Sequence, residues 1–184
     1  MAVSHLYRIP AFVLAALFLS LAAKLAITDH RLAVIRNELA AGNIQAAAAA
    51  YPQTGGADLY YARMMAAAAS KSPDPLLALL ASQQASAAAA RALQTSDQPA
   101  NAAYTLASLA ATRNQVTETE ADLRVAIAAA PNWFKPHWML AQVLTLQKRF
   151  EEAEGEAALA CERASIPEVR RTLEEIKAKR SAYR

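Results

Sequence analysis

The sequence predicts an all-α protein, in which an N-terminal apolar helix precedes a stack of antiparallel helix pairs. The first observation is composition: alanine supplies 48 of 184 residues, whereas only 7% are aromatic and 4 are glycine. Such a composition is typical of helices that pack closely through small side chains, and it disfavours β-sandwiches and barrels. The second observation is a charge-free stretch near the N-terminus. The third is a repeat at a fixed offset of 34 residues in the second half of the chain.

The N-terminal region predicts a short tail, residues 1–8, followed by a transmembrane anchor, residues 9–28. No charged residue occurs from Ile9 to Ala23. Extended to Ile27, the stretch has 19 residues. As a helix it would span about 28 Å, close to the hydrocarbon thickness of about 30 Å. The length and composition therefore favour a helix that crosses a membrane once.

A secretory signal peptide is the alternative interpretation of the same segment. Arg8 would be its basic region, and Ser20-Leu21-Ala22 has the small-x-small pattern of a cleavage site. We expect an uncleaved anchor instead, because the helical pattern continues past Ala22 and the basic region holds a single arginine. A short tail before one span is a common export signal, which predicts a bacterial inner-membrane protein with a periplasmic domain. The lysine and arginine counts on the two sides do not decide the orientation.

The charge distribution disfavours a nucleic-acid partner. The net charge is +3, but residues 29–167 hold 11 basic and 13 acidic residues, and residues 168–184 alone hold six basic ones. The positive surplus therefore lies at the two ends of a nearly neutral body. A groove for a phosphate backbone would need clustered basic residues within the body.

Prolines, glycines and short polar runs divide the body into successive helices. The predicted helices cover about Asp29–Ala41, Ile44–Tyr51, Asp58–Ala69, Pro75–Gln94, Ala100–Arg113, Thr117–Ala130, Lys135–Gln147 and Phe150–Ala164. The last four match at an offset of 34 residues, as Leu106 with Leu140 and Ala126 with Ala160 illustrate. A period of this length, filled by two helices, predicts a repeat protein whose pairs bury their apolar faces against each other.

The best-matching residues resemble a tetratricopeptide repeat (TPR). Leu140 and Ala141 occupy the Leu-Gly positions of the motif and Leu144 its tyrosine position. The second helix has its aromatic and alanine positions filled by Phe150, Ala153 and Ala160. The last repeat is also similar to the TPR tails of bacterial O-antigen ligase-type membrane proteins. The resemblance covers two repeats in residues 100–164 and is weaker over 29–99. It implies an α-solenoid of roughly three to four repeats.

Residues 165–184 predict a capping helix with a basic tail. Val169, Leu173 and Ile176 form one apolar stripe, and nine of the other 17 residues of the segment are charged. A repeat stack needs such a terminal element with one polar face.

The TPR resemblance implies a concave groove lined by the first helix of each pair. Its groove-facing positions here are Asn101, Tyr104, Ser108, Lys135, Trp138, Gln142 and Thr145. Aromatic and amide side chains suit an extended peptide, whose main chain and apolar side chains they can contact. The alternative for Tyr104 and Trp138 is that they pack between helices.

No pattern in the sequence indicates catalysis, a metal or a cofactor. We interpret His137 as a packing residue, Cys161 as a buried inert thiol and the acidic run of residues 151–156 as a solvated helix face. We therefore expect a membrane-anchored scaffold that recruits or assembles protein partners, and we expect neither an enzyme nor a binder of small molecules. A structural accessory subunit of a larger membrane complex is the alternative.

Overall fold

The computed structural model of the protein describes residues 11–51 and 57–183, and within these ranges it is entirely α-helical apart from turns. The helices are α1 (Ala11–Ala40), α2 (Ile44–Ala50), α3 (Asp58–Lys71), α4 (Pro75–Thr95), α5 (Pro99–Thr112), α6 (Val116–Ala129), α7 (Phe134–Leu146), α8 (Phe150–Arg163) and α9 (Pro167–Tyr183). The predicted tail 1–8, the first two residues of the predicted anchor and the residues 52–56 between two predicted helices lie outside the described residues. The chain divides into two compact units, residues 1–52 and 53–184.

Helix α1 joins two segments that the sequence prediction separated. The predicted anchor ended at residue 28 and a second helix began at Asp29, but α1 continues through both without interruption. No proline or glycine lies between Ala11 and Ala40, so nothing breaks the hydrogen-bond ladder. Within the described residues, only this helix is long and apolar enough to cross a membrane, over Val13–Ala40, a test that a signal sequence also passes.

Helices α1 and α2 pack together as a hairpin. Gly42 takes a left-handed conformation, with φ of 80°, and the amide of Asn43 donates to the carbonyl of Glu38 at 2.8 Å. This turn reverses the chain because glycine adopts positive φ without steric cost. Ile35 and Ile44 are among the buried side chains of this unit.

The same turn recurs in the two repeats of the second unit. Asn114 and Lys148, which are 34 positions apart, both have positive φ, at 56° and 62°. Equivalent amides follow them: Gln115 donates to the carbonyl of Ala110 at 3.0 Å, and Arg149 to that of Leu144 at 2.9 Å. The sequence period thus corresponds to a repeated backbone turn.

Helices α3 to α9 form a stack of pairs. Helix α3 packs on α4, α5 on α6 and α7 on α8, and each pair packs on the next, with α9 against α8 and α7. The α3–α4 connection differs from the others: Asp74 caps α4 by accepting hydrogen bonds from the amides of Leu76 and Leu77, at 2.8 and 3.4 Å. Helix α4 also has 21 residues where α6 and α8 have 14, so the starts of α3 and α5 are 41 positions apart and the 34-residue register is lost before residue 99.

Alanine supplies much of the core. Ala62, Ala85, Ala88 and Ala103 are fully buried, so neighbouring helix backbones approach closely there. Larger side chains fill the C-terminal half, where Leu123, Leu140, Leu144 and Ile176 belong to one cluster. Within the predicted apolar stripe of the capping helix, Val169 and Ile176 are buried and Leu173 packs against the same cluster.

Candidate partner-binding groove

A concave trough of about 530 Å³ lies between α3, the start of α4 and α5. We call it the α3–α5 trough. Helix α5 contributes Asn101, Tyr104 and Ser108 to its lining. These are three of the seven residues that the TPR resemblance predicted to face a groove. The trough forms because α3 and α5 are the first helices of consecutive pairs and lie side by side.

Helices α3 and α4 supply lining residues that sequence reasoning did not find. These include Arg63 and Ala66 of α3 and Leu79 and Ser82 of α4, while Arg113 follows the end of α5. The 34-residue register stops before these helices, so no motif position pointed to them. The leucines of α4 gave no distinct signal, because four occur in its first six residues and only the structure shows that Leu79 is 51% exposed.

Tyr104 both packs between helices and lines the trough. Its ring centroid lies 4.9 Å from that of Trp133, with the planes inclined at 56°. Burial raises the pKa of Tyr104, so its phenol is neutral at physiological pH. The side chain therefore offers a half-buried aromatic face to the trough, and the two sequence interpretations of this residue are compatible.

The four nominated residues of α7 do not line the trough. Trp138 is half-buried, and its indole donates to the hydroxyl of Thr172 in α9 at 2.9 Å. Lys135 and Gln142 are exposed, and the Thr145 hydroxyl donates to the carbonyl of Ala141 at 2.7 Å. The predicted groove is thus divided: its α5 part is a trough, and Trp138 of its α7 part packs on the capping helix.

A partly buried ion pair joins the two helices that form one side of the trough. Asp58 of α3 and Arg91 of α4 are 2.9 Å apart, and the aspartate side chain is only 2% exposed. Removal of either partner would leave the other charge near the core without compensation. The pair therefore holds α3 against α4, on which the shape of the trough depends.

His137 is buried, as expected of a packing residue, but it also bridges three elements. Nδ1 lies 2.7 Å from Oε2 of Glu156 in α8, and Nε2 lies 2.9 Å from the carbonyl oxygen of Pro131. Both ring nitrogens face oxygen atoms, so the geometry is satisfied when each nitrogen carries a proton or when Glu156 donates. Sequence reasoning did not identify Glu156 as the partner.

The acidic run and the cysteine offer no arrangement for metal binding. Glu152 pairs with Arg149 at 2.6 Å, and Glu154 pairs with Arg180 of the capping helix at 2.7 Å. Cys161 is half-buried rather than fully buried. Over the part of the chain that the structure describes, no group of three His, Cys, Asp or Glu side chains is placed to hold an ion.

Solved structures share this fold. A crystal structure of MamA, a TPR-like all-helical protein, has a TM-score of 0.62 over 84% of this chain and 83% of the other, at 13% identity. A second MamA crystal structure has a TM-score of 0.60, with 80% and 85% of the chains covered at 13% identity. A P212121 crystal form of MamA AMB-1 gives 0.58, with 86% and 84% covered at 18% identity.

The comparisons confirm the predicted fold class: an apolar N-terminal helix followed by a TPR-type solenoid. No protein-family model and no curated protein matches the sequence. At such low identities, the likeness to MamA describes the fold alone. The similarity to O-antigen ligase tails finds no support among these matches.

Proposed function

We propose that the protein is a membrane-anchored scaffold that recruits or assembles partner proteins through the concave side of its TPR-type solenoid. The observation that carries this proposal is the α3–α5 trough, formed by the first helices of consecutive pairs. Trp138, Gln142 and Lys135 of α7 would extend the binding surface toward the capping helix. The trough suits an extended peptide segment because polar side chains, an aromatic ring and aliphatic side chains all line it.

Helix α1 supports the membrane part of the proposal. Leu17, Phe18 and Leu19 are 60–72% exposed, and Leu25 is 63% exposed. Such side chains are costly in water and favourable in hydrocarbon. We propose a single-pass protein of the bacterial inner membrane with a periplasmic solenoid.

Three measurements test the location. N-terminal sequencing of the purified protein separates an anchor, which keeps residues 1–28, from a cleaved signal. Extraction with alkaline carbonate leaves an anchored protein in the membrane pellet. Protease added to spheroplasts digests a periplasmic solenoid and spares a cytoplasmic one, so a protected solenoid contradicts the proposed orientation.

We propose binding rather than catalysis because two of the buried polar side chains, Asp58 and His137, are engaged in contacts that join helices. Asp58 pairs with Arg91, and His137 bridges Glu156 and Pro131. Each such group is committed to structure in the arrangement described.

Site-specific photocrosslinking in intact membranes tests the scaffold. A photoreactive amino acid at Thr112, an exposed residue that lines the trough, is compared with the same amino acid at Ala129, an exposed residue of α6 outside it. We expect a discrete protein adduct from Thr112 alone. Recovery of only the monomer from both positions at native expression contradicts the proposal.

An accessory subunit of a larger membrane complex is the second candidate. The observation that favours it is the small-residue surface of α1, where Ala15, Ala16, Ala22 and Ala23 are exposed. Small residues let membrane helices approach closely. Co-purification in a fixed stoichiometry through mild detergent would favour this role over an exchangeable scaffold.

A further inference from the structure

We infer that the α3–α5 trough binds an extended acidic segment of the partner, about five residues long, with an apolar side chain between its acidic ends. This inference rests on the proposed scaffold function and specifies the chemistry of its partner. Three features of the trough support it: the charge of its lining residues, its length, and the apolar side chains and hydroxyl group on its surface.

The charge of the trough is wholly positive among the described residues. Arg63 and Arg113 line it, and no aspartate or glutamate does. Neither arginine forms an ion pair in the described part of the chain, although Arg113 donates to the hydroxyl of Ser86 at 3.2 Å. By contrast, Arg91 and Arg149 each pair with a carboxylate at 2.9 Å or less. Two guanidinium groups without carboxylate partners complement an acidic ligand.

The two arginines lie at opposite ends of the trough. Arg63 also lines the adjoining cavity beside the N-terminus of α3, together with Asp58 and Asp97. Arg113 caps the C-terminus of α5. Because α4 reverses the chain between them, α3 and α5 run in the same direction, and these termini mark the two ends.

The length of the trough sets the length of the segment. Asn101 and Arg113 are the first and last lining residues of α5. Their separation of twelve positions corresponds to about 18 Å along a helix axis. An extended peptide covers that distance in about five residues, at roughly 3.3 Å per residue. Main-chain positions four residues apart are about 13 Å apart in such a peptide, and the arginine and carboxylate side chains would bridge the remaining distance of about 5 Å.

The centre of the trough is apolar. Leu79, Ala66 and Leu109 line it, together with the ring of Tyr104. Leu79 is 51% exposed, so a partner side chain would remove apolar surface from water on both sides. An aliphatic residue in the middle of the segment fits this surface.

Ser82 adds a polar group to the same wall. It is 9% exposed, and its hydroxyl has no hydrogen-bond partner in the described structure. A buried hydroxyl without a partner is unfavourable. After a rotation about its χ1 bond, this hydroxyl would meet a main-chain group of a segment in the trough.

Fluorescence anisotropy with full-length protein in detergent micelles tests the inference. The probe is the labelled peptide Asp-Ser-Leu-Ser-Glu, blocked at both ends so that no terminal charge contributes. Two matched peptides replace either the acidic residues by lysine or the leucine by serine. We expect the acidic, leucine-containing peptide to bind at least fivefold more tightly than either, and its binding to weaken in 0.5 M salt because exposed charges are screened.

Variants locate the binding site. Arg63→Gln combined with Arg113→Gln should weaken binding about tenfold, since each exposed ion pair contributes a few-fold. Arg170→Gln combined with Arg171→Gln removes the same charge from exposed positions of α9 and should leave binding unchanged. Ser82→Ala should weaken binding about threefold without lowering thermal stability, because it removes an unsatisfied hydroxyl.

Each contrary result has a distinct meaning. Equal binding of the acidic and lysine peptides, or an equal effect of the two double variants, overturns the acidic segment. Failure of all peptides to bind also overturns it, and a protein adduct at Thr112 would still leave the scaffold function standing. A concentration-dependent dimer that the Arg63→Gln/Arg113→Gln variant abolishes would show that a second copy of this chain occupies the trough, which likewise overturns the inference.

Discussion

Arg149 donates from Nη1 to both carboxylate oxygens of Glu120, at 2.8 and 2.9 Å, and so connects the start of α8 to α6. The same carboxylate accepts hydrogen bonds from Gln147 at 3.0 Å and from Arg124 at 2.8 Å. Glu120 belongs to one repeat, and Gln147 and Arg149 belong to the turn of the next. The Glu120 carboxylate therefore joins the α5–α6 pair to the turn between α7 and α8.

Glu120→Gln should lower the free energy of unfolding by about 1–2 kcal/mol, because neutral amide groups replace charge-assisted hydrogen bonds. Urea denaturation followed by circular dichroism at pH 7 measures the effect. Glu118→Gln, at an exposed position of the same helix, is the matched control and should change little. Equal midpoints for the two variants would show that the network contributes nothing to stability.

The same carboxylate predicts a dependence of stability on pH. Hydrogen bonds from Arg124, and then from Gln147 and Arg149, lower the pKa of Glu120 from 4.5 to about 2. Because the folded pKa is the lower one, the contribution of Glu120 to stability is complete above pH 4.5 and is lost as pH falls toward 2. The difference in melting temperature between wild type and Glu120→Gln should therefore shrink between pH 5 and pH 2. A constant difference across this range contradicts the assignment.

His137→Phe should lower the free energy of unfolding by about 2–3 kcal/mol. The ring would still fill the buried site, but Glu156 and the carbonyl of Pro131 would lose their partner. Lys135→Met, at an exposed position of the same helix, is the control and should be nearly neutral. Thermal melts of both variants measure the difference. An unchanged melting temperature for His137→Phe would mean that size alone matters at this position.

The close packing of alanine predicts opposite effects at neighbouring positions of α4. Ala88 is fully buried and Ala87 is exposed. Ala88→Leu should lower the free energy of unfolding by about 1–3 kcal/mol, because added methylene groups force the helices apart. Ala87→Leu should stay within about 0.5 kcal/mol of wild type. Urea denaturation distinguishes them, and similar values would contradict tight packing at Ala88.

The helices and the C-terminal repeats could be predicted because their causes are local. Proline, glycine and asparagine mark most of the turns, and the 34-residue offset appears where the helices on both sides also match in length, as around Asn114 and Lys148. Alanine-rich runs between such breakers have high helix propensity. The uninterrupted α1 shows the limit of this approach, because a change from apolar to charged residues near Asp29 is not a helix boundary.

Side-chain contacts between helices could not be predicted, since they join residues far apart in sequence. Arg91 meets Asp58 across 33 positions, and Arg149 meets Glu120 across 29. Many other charged residues lie in similar helical sequence surroundings, so the neighbouring residues do not indicate which charges meet. Asn101, Tyr104 and Ser108 were found because they occupy motif positions, whereas Arg63 and Ser82 lie in helices where the motif is absent.

The last prediction concerns the capping helix. Ile176 is 2% exposed and packs in the cluster that contains Leu140 and Leu144. Ile176→Asp would bury an unpaired charge, which is more costly than releasing α9 from α8. We therefore expect the helix to detach, and protease to cleave near Ser165 under conditions in which wild type is resistant.

Ala178→Asp is the matched control, because it introduces the same charge two residues later at an exposed position of α9. It should keep the wild-type digestion pattern. Detachment would also break the bond from Trp138 to Thr172, so tryptophan fluorescence should shift to longer wavelength in the Ile176 variant alone. If both variants resist protease equally, α9 is not held by its buried stripe, and the ion pair of Arg180 with Glu154 would be its principal attachment.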